Sequence, residues 1–245
     1  MATVIACDMA NTSIARLCLR TSALALGCLT LLASLHNAEA APVFGNPGTF
    51  VLGAEDIAGF NSRSLKFWDR DDRTVELSRS AFSLGIATGG VRLGLHYFLI
   101  PGLSLGGTVG FESVNGTNTY QDNPGEWSAG VPTNTRLVLA PKVGYALMFT
   151  DKVGLWFRAG LGYERLKQRN GEGDRENYTR DSFLMASADV LFVWSPVPHF
   201  GLLVGPVFEN SLIGSHFEHN VPAGDYSNDS RLRRIGLTTG LVGYF

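Results

Sequence analysis

Cysteine is nearly absent from this chain. The 245 residues contain three cysteines, and all of them precede residue 29. The rest of the chain therefore cannot form a disulfide, a thiolate metal site or a cysteine nucleophile. An excess of charge of one sign is also missing, because 20 basic and 22 acidic residues give a formal net charge of −2. This near balance gives no indication of a nucleic-acid partner.

Long apolar runs are missing as well, except close to the N-terminus. There, Arg16 and Arg20 precede an apolar run over residues 23–35, and Ala38-Glu39-Ala40 follows it. Positive charge, a short apolar core and small residues before the cleavage site are typical of a secretory signal peptide. We expect a signal peptide over residues 1–40 and a mature domain over residues 41–245. No later segment is apolar for long enough to form a transmembrane helix.

Two alternatives to a cleaved leader remain open. An uncleaved anchor is disfavoured, because the apolar run is too short to span a bilayer. A lipoprotein would carry its lipid on Cys28, which follows Leu26-Gly27. Ala25 stands where such a signal prefers leucine, so this alternative is weaker.

The mature chain alternates apolar and polar residues with a period of two. In the segment over 103–112, leucine, valine and phenylalanine occupy one face, whereas serine, glycine, threonine and glutamate occupy the other. Such alternation is typical of β-strands with two different faces. It restarts to give eight predicted strands, near 48–60, 81–98, 103–113, 135–149, 153–165, 182–194, 200–211 and 233–245. The sequence therefore predicts an all-β fold, an eight-stranded antiparallel transmembrane β-barrel.

The predicted connections alternate in length. Short turns over 100–102, 150–152 and 195–199 separate long, polar loops. The long loops are predicted over 61–80, 114–134, 166–181 and 212–232. Outer-membrane barrels have short periplasmic turns and long extracellular loops, so both termini should be periplasmic. The parity of the second strand changes near Gly89-Gly90, which indicates either a β-bulge or that 81–88 belongs to the first loop.

Glycine and bulky residues separate onto opposite faces of the predicted strands. The interior of an eight-stranded barrel is only wide enough for side chains, so the glycine face should point inward and the bulky face toward lipid. In a soluble barrel with the same number of strands, the glycine face would be the water-facing surface, where glycine gives no advantage. Aromatic residues near strand ends suit the girdles at the two membrane interfaces. These are Phe98, Phe149, Trp194, Phe200 and Phe245.

The inward face also carries charges of both signs. They are Glu55, Arg92, Glu112, Lys142, Arg158, Asp189, Glu209 and Arg234, with Arg136 and Glu164 nearer the loops. Around the barrel, each mid-height charge has a neighbour of opposite sign, and we expect Arg92 to lie between Glu55 and Glu112. Unpaired charges in a narrow lumen would be costly, whereas a paired network is tolerable. The sequence therefore predicts a plugged lumen rather than a diffusion pore.

Residues 48–245 resemble the small outer-membrane β-barrel family, similar in architecture to the membrane domain of outer-membrane protein A. The hairpin around Leu103-Ser104-Leu105-Gly106-Gly107 and the terminal TTGLVGYF carry this resemblance. The ending is similar to the signal read by the barrel-assembly machinery, with Gly240, Tyr244 and Phe245 in the matching places. It departs at Gly243, where the usual pattern has a bulky residue. The resemblance implies outer-membrane lipids and that machinery as partners, and no particular activity.

Candidate chemistry is sparse. The richest cluster is Ser215, His216, Glu218 and His219, whose residue types suit a hydrolase or a metal site but whose spacing is irregular. His96 and Ser104 both point inward beside the first short turn, close enough for a hydrogen bond. The segment Asp69–Asp72 could bind a cation or a lipid phosphate, or be a solvated loop. We predict no catalytic residue, metal or cofactor.

Two classes of function remain compatible with the sequence. The first is a non-enzymatic barrel that supports the envelope or presents loops for surface contacts. The second is a lipid-modifying enzyme or a carrier of small solutes. A dispensable last loop would favour the first class, and essential histidines in that loop would favour the second.

Overall fold

The computed structural model describes residues 43–68, 74–84, 90–122, 125–170, 177–220 and 224–245. Pro42 to Tyr244 form one compact unit. No helix of the described residues is long and apolar enough to cross a membrane. The regular elements of the described chain are nine strands: β1 Phe50–Trp68, β2 Thr74–Leu84, β3 Arg92–Ile100, β4 Leu103–Asp122, β5 Gly125–Thr150, β6 Val153–Asn170, β7 Asn177–Val197, β8 Phe200–Asn220 and β9 Gly224–Tyr244. The predicted signal peptide and Asp69–Asp72 lie outside the described residues.

The strands form one antiparallel sheet that closes on itself. From β3 to β9 each strand pairs with the next in sequence, and β1 pairs with β9 to complete the ring. The predicted all-β fold, a closed antiparallel barrel, is confirmed. The pairing of β1 with β9 satisfies the backbone hydrogen bonds along the line of closure, whereas β2 pairs with β1 alone.

Two separate strands share the second position in the ring. β3 pairs with Phe50–Glu55 of β1, whereas β2 pairs with residues 58–68 further along the same strand. The ring therefore has eight positions, as the sequence predicts, although the described chain has nine strands. The single predicted strand over 81–98 is wrong, because 81–84 belongs to β2 and 92–98 to β3. Residues 85–89, where the predicted bulge begins, lie outside the described residues.

The two ends of the barrel differ. At the turn end, short connections at 101–102, 151–152 and 198–199 join consecutive strands, in agreement with the predicted turns. At the hairpin end, the strands continue far beyond their predicted limits. The pairing of β4 with β5, for example, extends to Asp122 and Gly125. The predicted long polar loops are therefore wrong, because most of their residues extend the strands as paired hairpins.

The two faces of the sheet follow the predicted assignment. The exposed face carries large apolar side chains such as Leu105, Phe111 and Leu237, whereas the inner face carries many glycines. Two of these glycines are required by close backbone contacts. A Cβ atom at Gly160 would collide with the carbonyl oxygen of Pro141, and one at Gly205 with that of Val190.

One predicted girdle residue is on the other face. Phe149 and Trp194 are exposed on the outer surface, but Phe98 is fully buried inside the barrel. The prediction for Phe98 is wrong because it overlooked parity. Phe98 follows the inward residues Arg92 and His96 at even spacing, so it too must point inward.

A short segment over residues 43–49, of which the predicted first strand includes only Gly48 and Thr49, lies outside β1 and closes the turn end. The Gly48 N–H donates to the carbonyl of Phe98, and the Gly102 N–H donates to that of Gly45. These bonds hold Phe44 inside, where its ring meets those of Phe98, Trp156 and Tyr244 edge-on, with centroids 5.2–5.7 Å apart. We call these four rings the aromatic plug.

Candidate functional site

The candidate site is the interior of the barrel, and its first charged layer lies next to the aromatic plug. Arg158 joins two acids: Nη2 donates to Glu55 Oε2 at 2.9 Å and Nε donates to Asp189 Oδ1 at 2.6 Å. The Lys142 ammonium donates to the other oxygen of Asp189, also at 2.6 Å. All four side chains are buried. Each of their charges has a partner of opposite sign within the layer.

A second layer follows, built around two arginines and two acids. Glu209 accepts hydrogen bonds from Arg92 Nη1 at 2.7 Å and from Arg234 Nη1 at 3.1 Å. Asp56 accepts from Arg234 Nη2 at 3.1 Å and from the Thr238 hydroxyl at 2.6 Å. Arg92 Nε lies 3.0 Å from Asp56, close enough for an ion pair but without hydrogen-bond alignment. Two cations thus share two carboxylates.

Asp56 is the member of this layer that the alternation pattern does not reveal. Simple alternation places it on the outer face, next to the inward Glu55. The structure has a bulge there, where residues 56–58 lie opposite Thr239 alone, and Asp56 adopts φ of 59°. The bulge turns its carboxylate into the lumen. The sequence does contain one signal of this. A carboxylate on the lipid face of a membrane strand is unfavourable, which favours an inward position for Asp56.

A third layer lies toward the hairpin end. Arg136 donates twice to Glu164, at 3.0 and 3.1 Å, and Arg63 donates to the same carboxylate at 3.2 Å. Glu164 is almost fully buried. Phe183 and Met185 form a small apolar cluster next in the register, so the lumen stays filled at this height.

The predicted position of Arg92 between Glu55 and Glu112 is wrong. Arg92 is the register partner of Glu55, but its guanidinium extends to Asp56 and Glu209 instead. Glu112 is only half-buried, and it forms no ion pair within the described part of the chain. Neighbouring strands supply some pairs, such as Arg158 with Asp189, but others cross the lumen. Long side chains can cross because an eight-stranded interior is narrow.

The structure does not bring together the polar cluster around His216. A bulge at Leu212 shifts the parity of β8, so His216 points inward and Ser215 outward. His216 Nδ1 lies 2.7 Å from Asp181, and its ring stacks on Phe67. His219 lies on the outer face instead, beside Asp225. No group of three potential metal ligands occurs in the residues that the structure describes.

His96 and Ser104 are both inside the barrel, as predicted, but they do not bond to each other. Ser104 accepts a hydrogen bond from the Trp156 indole at 3.2 Å. The His96 ring meets Trp156 edge-on, 4.7 Å between centroids, and neither ring nitrogen has a hydrogen-bond partner among the described residues. Both residues support the packing of the aromatic plug.

The predicted assembly signal lies on the strand that closes the ring. Gly240 pairs with Glu55 of β1, and a Cβ atom there would collide with the carbonyl of Ala54. The Tyr244 N–H donates to the carbonyl of His199 at 3.0 Å, and the Tyr244 ring belongs to the aromatic plug. These contacts give Gly240 and Tyr244 structural roles. Recognition of the ending, including Phe245, by the assembly machinery stays a prediction.

Comparison with solved structures finds barrels of the same kind. The outer membrane protein OprG from Pseudomonas aeruginosa has a TM-score of 0.51 and 11% identity, over 83% of this chain and 99% of that one. A major outer membrane protein from Thermus thermophilus has a TM-score of 0.48 and 15% identity, over 81% and 99%. The outer membrane protease OmpT from Escherichia coli has a TM-score of 0.44 and 9% identity, over 84% of this chain and 99% of that one. No protein-family model and no curated protein sequence matches the chain.

These observations define the class of the protein. It has the closed antiparallel fold of the small outer-membrane β-barrel proteins, so the expected resemblance is confirmed at the level of the fold. A fold alone does not decide between an enzyme and a non-enzymatic barrel.

Proposed function

We propose that this protein is an integral outer-membrane barrel with a sealed lumen, which serves the envelope as a structural element or through contacts of its surface hairpins. It does not conduct solutes, and its interior carries out no chemistry. The observation that carries the proposal is the continuous filling of the lumen by the aromatic plug and three paired charge layers. A channel would need a water-filled path where these side chains lie.

The membrane location rests on the outer surface. Large apolar side chains on every strand form the exposed band, and the sheet has no open edge at the ring closure. Such a surface suits hydrocarbon, where each backbone polar group must be satisfied within the protein. By the usual asymmetry of these barrels, the turn end is periplasmic and the hairpin end is outside the cell.

The chain allows a direct test of this orientation, because it has no cysteine after Cys28. Single cysteines would be introduced as Asp151→Cys in a short turn and as Asp225→Cys in the last hairpin. A membrane-impermeant maleimide on intact cells should label only the variant at residue 225. Labelling at residue 151 alone would reverse the proposed orientation.

A deletion strain tests the role in the envelope. We expect greater sensitivity to detergent or weaker surface adhesion, restored by the wild-type gene. The Asp181→Asn/His216→Ala variant should restore the phenotype equally well, because we assign this pair no chemistry. Loss of complementation by a correctly assembled variant would favour the enzyme class instead.

A further inference from the structure

One edge of β2 is open. β2 pairs with β1 along its whole length, Thr74–Leu84, and with no other strand in the described part of the chain. β3, which shares the same ring position, begins only at Arg92, and its pairing with β4 extends no further than Gly110. The backbone groups of Thr74–Phe82 that point away from β1 therefore have no strand partner among the described residues. Such an edge is a ready template for another extended chain.

Most of this edge lies beyond the apolar band. Phe82, which is 69% exposed, is the last large apolar residue on the outer face of β2 on the way to the hairpin end. Ser80, Ser78 and Glu76 follow it on the same face. The segment up to Thr74 is long enough for an ordinary strand of about 5–6 residues. It contains no proline and no bulge, two of the devices that protect natural strand edges.

The inner face of β2 carries an arginine without an acid. Arg79 lies directly opposite Arg63 in the register, so both belong to the face on which Arg63 donates to Glu164. Arg136 also donates twice to this carboxylate. Arg79 is exposed and forms no ion pair within the described residues. Because like charges directly opposite each other are unfavourable, this edge lacks one negative charge.

An apolar side chain accompanies Arg79 on the same face. Leu77 is 55% exposed although it faces inward. Its register partner Leu65 packs against the buried cluster of Phe183, Met185 and Leu232. A strand added to β2 would place its own inward side chain beside Leu77 and extend this cluster. The open edge thus presents a cation and an apolar side chain, two residues apart.

We propose that β2 binds an extended segment of a different, extracellular polypeptide by antiparallel strand addition, with an acidic side chain opposite Arg79 and an apolar one opposite Leu77. Backbone hydrogen bonds to a free edge provide affinity, and alternate side chains provide specificity. An antiparallel ligand passes Arg79 before Leu77. Its sequence therefore has an acid, any residue and then an apolar residue.

A second copy of β2 does not supply this pattern. Over 74–82 its inward side chains include no carboxylate; they are Val75, Leu77, Arg79 and Ala81. Its one acid, Glu76, is on the outer face and lies 2.9 Å from Lys66. The inference rests on the proposed orientation of the barrel, and it specifies the kind of partner that the surface hairpins contact.

The test uses synthetic peptides with blocked termini, titrated by fluorescence anisotropy against the folded, detergent-purified barrel, with empty micelles as the blank. The probe is KVTETLTVK, which places glutamate opposite Arg79 and leucine opposite Leu77. Wild type should bind it about two- to fivefold more tightly than KVTQTLTVK, the usual range for a cross-strand pair of opposite charge. Absence of binding above the blank, or tighter binding of the reversed peptide KVTLTETVK, would overturn the proposal.

Charge reversal tests the same contact from the side of the barrel. Arg79→Glu should bind the glutamate probe about tenfold more weakly, because repulsion replaces attraction. It should also bind KVTKTLTVK more tightly than wild type does. The matched control is Arg165→Glu, which reverses an exposed arginine of β6 and should bind each peptide as wild type does. Equal changes in the two variants would mean a general effect of net charge and would contradict the proposed contact.

Methylated peptides test the backbone pairing without any change to the barrel. Methyl groups on the amide nitrogens of alternate residues block one edge of an extended peptide. One alternate set should abolish binding, whereas the other set should preserve it; equal binding of both peptides would rule out strand addition. Dimerisation of the barrel in competition with the probe would reject a different polypeptide in favour of a second copy. All these measurements use purified protein, so a wrong orientation would be recognised separately, by the cysteine-labelling experiment.

Discussion

At the scale of single residues, Arg92 is the buried charge that depends most on its ion-pair partners. Its guanidinium bonds to Glu209 and forms an ion pair with Asp56, and all three side chains are largely removed from solvent. Arg234 binds the same two carboxylates from the other side. Without Arg92, two acids would share one remaining cation in a narrow interior.

We expect Arg92→Ala to lower the free energy of unfolding by about 3–5 kcal/mol, the usual cost of removing one partner from a buried charge network. Urea unfolding of the barrel in lipid vesicles measures this. Arg92→Met combined with Glu209→Gln should recover part of the loss, because it also removes the stranded carboxylate.

Glu112→Gln is the matched control for this measurement. Glu112 lies on the neighbouring strand and has no ion pair among the described residues, so its removal should change the unfolding midpoint little. A midpoint for Arg92→Ala equal to that of wild type would mean that the layer is solvated. It would contradict the assignment of a sealed charge network.

The sequence predicts the inward charges well and their partners poorly. Parity alone identifies Arg158, Asp189 and Glu209 as interior residues, since each strand has only two faces. Pairing depends on how far a side chain crosses the lumen and on local bulges, and neither is encoded in alternation. Asp56 is an example. Its bulge adds two residues to β1, so the alternation further along the strand keeps the same parity and the sequence gives no sign of the bulge.

At the scale of elements, the strands depend on glycines at close backbone contacts. Gly160 and Gly162 lie on the same inner face of β6, two residues apart. A Cβ atom at Gly160 would meet the carbonyl oxygen of Pro141, whereas one at Gly162 would find only an ordinary contact with Ala140, 3.4 Å away. This pair isolates the effect of backbone approach from the general effect of adding a methyl group.

We expect Gly160→Ala to destabilise the barrel by roughly 1–3 kcal/mol, the usual cost of overpacking, because β5 must shift to admit the methyl group. Gly162→Ala should stay within about 0.5 kcal/mol of wild type. Urea midpoints and the folded fraction on unheated gels measure both. Equal behaviour of the two variants would argue against the close packing of β5 on β6.

The aromatic plug makes a second prediction at this scale. Phe44→Ala should lower the free energy of unfolding by about 3–5 kcal/mol, since it empties the centre of a buried aromatic cluster. Val43→Ala, at the half-buried neighbouring position, should cost much less. The same urea assay distinguishes them. A small effect of Phe44→Ala would show that residues 43–49 do not hold the turn end closed.

The extents of the elements follow the sequence only inside the apolar band. There, one face must be apolar, and alternation marks both strand and orientation. Beyond the band, both faces are polar, so the sequence of residues 166–170 or 177–181 has the composition of a loop although the backbone continues as paired strand. The N-terminal plug carries no periodic signal at all, because a single phenylalanine in a turn defines it.

At the scale of the whole molecule, the barrel has an apolar exterior and an interior of ion-paired charges, closed at the turn end by aromatic rings. The exterior suits a membrane, and the filled interior is the basis of the proposed sealed lumen. The buried pair of His216 and Asp181 belongs to no group of three potential metal ligands among the described residues. The proposed function accordingly uses the membrane-facing and hairpin surfaces.

The sealed lumen is tested most directly by electrical recording in planar lipid bilayers, with a water-filled porin as the positive control. The purified, folded, heat-modifiable protein should insert and produce no stable conductance steps over a range of voltages. The aromatic plug and the three paired charge layers predict this silence. Reproducible open-channel currents from the wild-type protein would contradict the sealed lumen and would favour the alternative of a solute carrier.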